Sequence, residues 1–227
     1  MENMWFFENV NLYQVLCPHK LKEYQGKHLK KYTKGDVIYV ENELSQKIYL
    51  VSKGKVKVMQ YNEDGDEMVK AILTKGQIFG EMALLGEQKR KDFALCISKN
   101  TDICYLDIEV MHTLMRKNNS LSLKIYKLIG LKIRRLERRL ELLVFKDVKT
   151  RLLEFIKELA EEHSVEQEGT WEIPHIYTHK DIADLIGARR ETVTHLLGQF
   201  KKENMISYER QKFIVKDLKY LETSKNN

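Results

Sequence analysis

Residues Tyr177 to Lys202 read YTHKDIADLIGARRETVTHLLGQFKK. At helical period, Ile182, Ala183, Leu185 and Ile186 make one short apolar stripe, and Val193, Leu196, Leu197 and Phe200 make a second. Gly187 stands between them, where a helix that stops within one residue needs a positive φ that side chains resist. Ala183 has almost no side chain, so a second helix can cross the first closely. Two helices, a tight glycine turn and a small residue at the crossing predict a helix-turn-helix. In that motif the second helix lies in the major groove of DNA, with its N-terminal residues at base edges. Those residues are Arg189, Arg190, Glu191 and Thr192. Arginine can hold guanine O6 and N7 with two bonds, and glutamate can accept from cytosine N4. His195, one turn beyond Glu191, can reach a base or a phosphate. Thr178, Lys180, Lys201 and Lys202 complete the candidate DNA-binding set. A plain αα-hairpin with Arg-Arg-Glu as a solvated surface is the blander reading, and it does not require glycine, alanine and the apolar positions to fall in register.

Working outward, 227 residues suit two domains, each with its own core. Cys17, Cys96 and Cys104 follow no paired pattern, which predicts a reducing cytoplasm with neither disulfides nor a metal site. No apolar run approaches membrane-spanning length, and MENMWFFENV does not read as a signal peptide. The net charge of +6 is unevenly spread: residues 113–146 carry 10 Lys/Arg against 2 Asp/Glu, whereas 147–227 carry 13 against 15. Positive charge on the DNA-reading surface must therefore be local, and bulk charge says little.

In chain order, residues 1–28 read as short amphipathic helices broken by Pro18. Cys17-Pro18-His19 has two readings: a half-buried cysteine before a helix-starting proline, or a haem ligand at Cys17 or His19 with no second ligand marked. From Lys30 to Asp107 the period changes to two, in KYTKGDVIYVENE, KIYLVSKGKVKVMQY, EMVKAILTKGQIFGE and FALCISKNTDICYLD. Short strands without intervening helices predict an antiparallel barrel or roll. At Phe79-Gly80-Glu81 a strand ends in a brief helical turn, whose free backbone N–H groups can hold an anion.

Residues 109–145 read as one long helix. Its Ile129, Ile133, Leu136, Leu140 and Leu143 step by four, three, four and three, a heptad seam suited to a parallel partner. The alternative is that this seam packs on the chain's own roll. A further helix starts at Asp147, the polar stretch His163–Thr170 reads as a loop, and ISYERQ and KFIVKD read as the two strands of a β-wing. Leu218–Leu221 reads as a terminal helical turn. The fold class expected is α+β: a β-roll domain over 1–112, a dimerisation helix over 113–146 and a winged helix-turn-helix over 147–227.

With that order of elements, FGEMALL, RRETVTHLL and NMIS resemble the cAMP receptor protein/FNR family of bacterial transcription regulators over nearly the whole chain. The resemblance implies a cyclic-nucleotide-binding-like sensor, a homodimer on a two-fold symmetric double-stranded DNA site, and RNA polymerase as a partner. It implies that Arg190 and Glu191 match the arginine and glutamate with which the family's cAMP-receptor branch reads its half-site, and that His195 replaces a second arginine. Gly80 and Glu81 match the residues that hold the ribose and phosphate edge in cAMP-binding members. Aligned without gaps, the Arg-Ser pair that caps the cyclic phosphate becomes Lys91-Asp92, and the Thr-Ser pair that touches adenine becomes Leu136-Glu137. A carboxylate beside the phosphate and an apolar seam residue at the base argue against ordinary cAMP sensing. The cysteines are too few near the N-terminus for the iron–sulfur site of the FNR branch. No cluster has catalytic spacing, so an enzyme is not expected. The competing function is a cyclic-nucleotide or haem sensor module acting through protein contacts.

Overall fold

The computed structural model describes residues 29–163, 165–167, 170–174, 177–209 and 212–216. The N-terminal helices, the haem reading at Cys17 and His19, and the terminal turn at Leu218–Leu221 lie outside these residues. The chain divides into two compact units, Met1–Ile133 and Arg134–Asn227.

The first unit is built on eight short antiparallel strands: β1 (Leu29–Tyr32), β2 (Val37–Tyr39), β3 (Lys47–Lys53), β4 (Val56–Tyr61), β5 (Glu67–Leu73), β6 (Ile78–Phe79), β7 (Phe93–Cys96) and β8 (Thr101–Asp107). They form two four-stranded sheets, ordered β1-β8-β3-β6 and β2-β7-β4-β5. Successive side chains of a strand point to opposite faces, and β3 is apolar on both. Tyr49 and Val51 enter a cluster with Tyr39, Val56, Phe79, Ala94 and Ile103. Ile48 and Leu50 enter a second cluster with Ile78, Leu106, Met111, Leu114, Leu121 and Ile125. The expected β-roll is therefore present, with one of its sheets also packed against helices.

Those helices correct the reading of residues 109–145 as one helix. α1 (Ile108–Lys117) stops at Asn118, whose φ of −135° and ψ of 93° are extended, and α2 (Asn119–Phe145) starts immediately after. The Asn118 side-chain oxygen accepts from Leu121 N at 3.0 Å, the bond of a helix N-cap. Leu121 and Ile125 bury the first turns of α2, and Ile129 packs at the edge of the same cluster. Farther along, Ile133, Leu136 and Leu140 are 52%, 65% and 62% exposed, so the middle of the heptad seam faces solvent in the single chain.

The second unit contains α3 (Val148–His163), β9 (Val165–Gln167), β10 (Thr170–Pro174), α4 (His179–Ile186), α5 (Arg190–Lys202), β11 (Ile206–Glu209) and β12 (Lys212–Val215). Asp147 Oδ1 accepts from Thr150 N at 2.8 Å and caps α3, and hydrogen bonding from the Thr150 side chain, then from its backbone, holds the Asp147 carboxyl below the usual range. Here the structure corrects a second expectation. The stretch His163–Thr170 is not simply a loop, because it holds β9 and the start of β10. The wing is accordingly a four-stranded sheet, β11-β12-β10-β9, rather than two strands. Ile173 is buried in the unit's core and Trp171 packs against that core, which ties β10 down. The core joins Leu152, Leu153 and Ile156 of α3 to Ile182, Ala183 and Ile186 of α4 and Val193, Leu197 and Phe200 of α5.

Candidate functional site

The geometry of α4 and α5 follows from local chemistry. Thr178 opens α4 with a capping box: its hydroxyl accepts from Asp181 N at 3.1 Å, and the Asp181 carboxylate accepts from Thr178 N at 2.9 Å. Gly187 closes α4 in the left-handed region at φ 65°. The positive φ favours glycine there, and a Cβ at Gly187 would meet Leu143 Cδ2 at 2.6 Å, so a larger residue would also have to displace that leucine. Two residues later Arg189 takes an extended conformation and α5 begins without a side-chain cap bond. Its first N–H groups can therefore serve an outside acceptor such as a phosphate.

Val193, Leu197 and Phe200 bury one face of α5, and Arg189, Arg190, Glu191, Thr194, His195, Lys201 and Lys202 are exposed. Thr192 is half-buried. Thr194 Oγ1 donates to Arg190 O at 2.9 Å and shares a 2.8 Å hydrogen bond with His179 Nδ1, linking the start of α4 to the middle of α5. Lys180 pairs with Asp184 at 2.6 Å along α4 while staying largely exposed.

In the roll, Gly80 is left-handed at φ 71° and leads into a 3-10 turn over Glu81–Leu85. The cation beside it is Arg90, not Lys91. Arg90 is 2% exposed, donates from Nη1 to Gly80 O at 3.0 Å and from Nη2 to Lys47 O, and has Glu87 at 3.6 Å. Its guanidinium lies over the Tyr39 ring, 4.7 Å from the centroid. Lys91 is exposed, whereas Asp92 accepts from Tyr39 Oη at 2.9 Å and from Lys70 Nζ at 2.6 Å. Burial, with Asp92 adding to it, pushes the Tyr39 hydroxyl far above its usual pKa, so it remains a donor. Glu81 is met by Lys132 of α2 at 2.6 Å, and Lys132 also donates to Ile78 O at 3.4 Å.

Residues 29–118 match the cyclic nucleotide-binding domain family, and residues 150–224 match the Crp-like helix-turn-helix domain family. The chain belongs to the CRP/FNR family. Among similar CRP/FNR-type regulators is the CRP-like cAMP-activated global transcriptional regulator of Mycobacterium tuberculosis, 25% identical over 82% of this chain and 83% of that one. The global nitrogen regulator of a Nostoc species is 27% identical over 81% and 83%. Among solved structures, a CooA mutant from Carboxydothermus hydrogenoformans superposes with a TM-score of 0.78 at 27% identity, covering 97% of this chain and 98% of that one. As a CRP/FNR-family chain the protein is a DNA-binding transcription regulator, not an enzyme. The competing reading, a sensor module acting only through protein contacts, is not favoured, because its C-terminal part is a Crp-like helix-turn-helix domain.

Within this CRP/FNR fold Arg189 and, on α5, Arg190, Glu191, His195, Lys201 and Lys202 are exposed with Thr192 half-buried, and the sensor residues separate into groups. Gly80 and Glu81 lie with Arg90 and Lys132, and Asp92 lies with Tyr39 and Lys70. Leu136 and Glu137 are exposed on α2. Arg90 was missed because the ungapped alignment set Lys91 in its place. The signal that finds it is the fold itself: Arg90 N donates to Glu43 O and its O accepts from Asn42 N, which fixes its side chain inward.

Proposed function

We propose that the protein is a homodimeric, sequence-specific regulator that reads a two-fold symmetric DNA site with Arg189, Arg190, Glu191, Thr192 and His195, while Thr178, Lys180, Lys201 and Lys202 approach the phosphates. The observation that carries this is the two-sidedness of α5: Val193, Leu197 and Phe200 are buried while both arginines and Glu191 stand in solvent. An arginine pair followed directly by a glutamate, at a helix start with no side-chain cap bond, suits base edges and a backbone phosphate together. The functional segments on this reading are a sensor over 1–112, a dimerisation segment over 113–146 whose helix is α2, and a reading domain over 147–227. A promoter-bound regulator of this kind works in the cytoplasm and has RNA polymerase as its partner. No helix among the described residues is long and apolar enough to cross a membrane.

A gel shift on promoter DNA tests the reading. Retardation should weaken linearly in log–log form with rising salt, at about 0.9 per phosphate neutralised, while a specific site outcompetes random DNA. Equal competition by random DNA would overturn it.

The roll, in this proposal, does not answer cAMP in the ordinary way. Glu81, which would hold the ribose, is taken by Lys132, and Asp92 is taken by Tyr39 and Lys70. Arg90 spends its inward donors on two backbone carbonyls. Freeing these groups costs what their bonds contribute, so a cyclic phosphate competes with the protein itself. The names of the relatives, one cAMP-activated and one a nitrogen regulator, do not select an effector either. cAMP at concentrations that saturate ordinary cAMP receptors should leave the melting temperature unchanged. A rise that grows with ligand as mass action requires would refute this.

A further inference from the structure

The turn that launches the reading helix rests on the long helix, and we infer that Arg139 and Leu143 of α2 position α5 and thereby set the half-site spacing the protein accepts. Arg139 Nη2 donates to Asp184 O at 2.7 Å. That carbonyl belongs to the last turn of α4, which also receives Gly187 N at 3.4 Å. The C-terminal carbonyls of a helix carry partial negative charge, so a guanidinium is favoured there. Burial works against the charge of Arg139 and lowers its pKa, and the Asp184 carboxylate works the other way. One helical turn on, Leu143 fills the space that a side chain at Gly187 would need, with its Cδ2 2.6 Å from where that Cβ would sit. Arg138, beside Arg139, reaches Glu154 of α3 at 3.6 Å. Residues from Arg134 onward thus belong to the same compact unit as the winged helix.

Two features make this support consequential for reading. α5 has no side-chain cap bond of its own at Arg189, so its start takes its position from the turn beneath. The same segment of α2 exposes Leu136 and Leu140, the seam proposed above to join two copies. Whatever fixes two α2 helices side by side then fixes two α5 helices at a set distance, through Arg139 and Leu143. Both are positioning residues that need not touch DNA. The inference rests on the homodimeric DNA reading.

The test uses the full-length protein and a selected operator, in its selected spacing and with one base pair added or removed between half-sites. Arg139→Met keeps the apolar stem and loses the bond, while Arg139→Lys keeps the charge and one donor. Arg139→Met should lose roughly tenfold on the selected spacing, as a single charge-assisted hydrogen bond supports. It should lose much less on the altered spacings, so that the preference flattens. Sedimentation should still give the wild-type assembly, and Arg139→Lys should recover most of the preference. An unchanged spacing preference in Arg139→Met would overturn the inference. So would an equal loss on all DNA in step with a fall in melting temperature, which marks a merely structural role. If the wild type itself does not distinguish operator from random DNA, the DNA reading fails first and this inference falls with it.

Discussion

Replacing Leu136 and Leu140 together by lysine should turn the protein into a monomer and abolish tight operator binding. The two leucines are 65% and 62% exposed in the single chain, an arrangement a heptad seam leaves until a partner covers it. Covering one leucine contributes about 1.5–3 kcal/mol. A two-fold interface contains each substitution twice, so four side chains are lost and roughly 6–12 kcal/mol of association with them. Lysines facing one another add repulsion that salt only partly screens. Even the lower figure weakens a dimer by more than about ten-thousandfold. Operator binding falls with it, because two linked reading helices gain from effective concentration and a single one does not. Sedimentation velocity at micromolar protein decides the matter. An unchanged dimer in the double variant would remove the seam from the assembly and place the interface elsewhere.

Much of this was legible because the decisive signals are local. Thr178 with Asp181 three residues on, then Gly187, marks both ends of α4 by hydrogen bonding and backbone geometry, and neither needs tertiary context. The β-roll was legible from strands of period two, although β3, apolar on both faces, gives no single face to assign. The misses have physical causes. Asn118 breaks the long helical stretch because its side chain caps the next helix, a signal carried by two consecutive asparagines inside an otherwise helical pattern. β9 was invisible because Val165–Gln167 pairs with β10 through its backbone, which polar residues do as well as apolar ones. Arg90 was passed over in favour of Lys91 for a different reason. Which of two neighbouring cations turns inward depends on backbone hydrogen bonds between distant loops, here with Glu43 and Asn42. Arg139 is the hardest case: on sequence it is one charge among ten in a basic helix, and only its 2.7 Å bond to Asp184 O separates it from them.

Replacing Arg190 or Glu191 by alanine should cost roughly 1–3 kcal/mol on the specific site and far less on random DNA. Both side chains are exposed on α5 while Val193 and Leu197 anchor the same helix in the core, so truncation removes recognition without removing structure. Lys201 and Lys202 lie at the other end of α5 and should behave differently if they touch phosphate. Their loss should weaken all DNA alike and flatten the salt dependence by about one unit per contact. His195 separates base reading from backbone contact. It is exposed one turn beyond Glu191, beside Thr194, whose hydroxyl is already committed to Arg190 O and His179. A His195→Arg change supplies a second fork that can grip guanine with two bonds, so one base of each half-site should shift towards guanine. Binding-site selection on the wild type and on His195→Arg reads this directly. Identical consensus sites would mean that His195 faces phosphate or solvent, leaving the code to Arg189, Arg190 and Glu191.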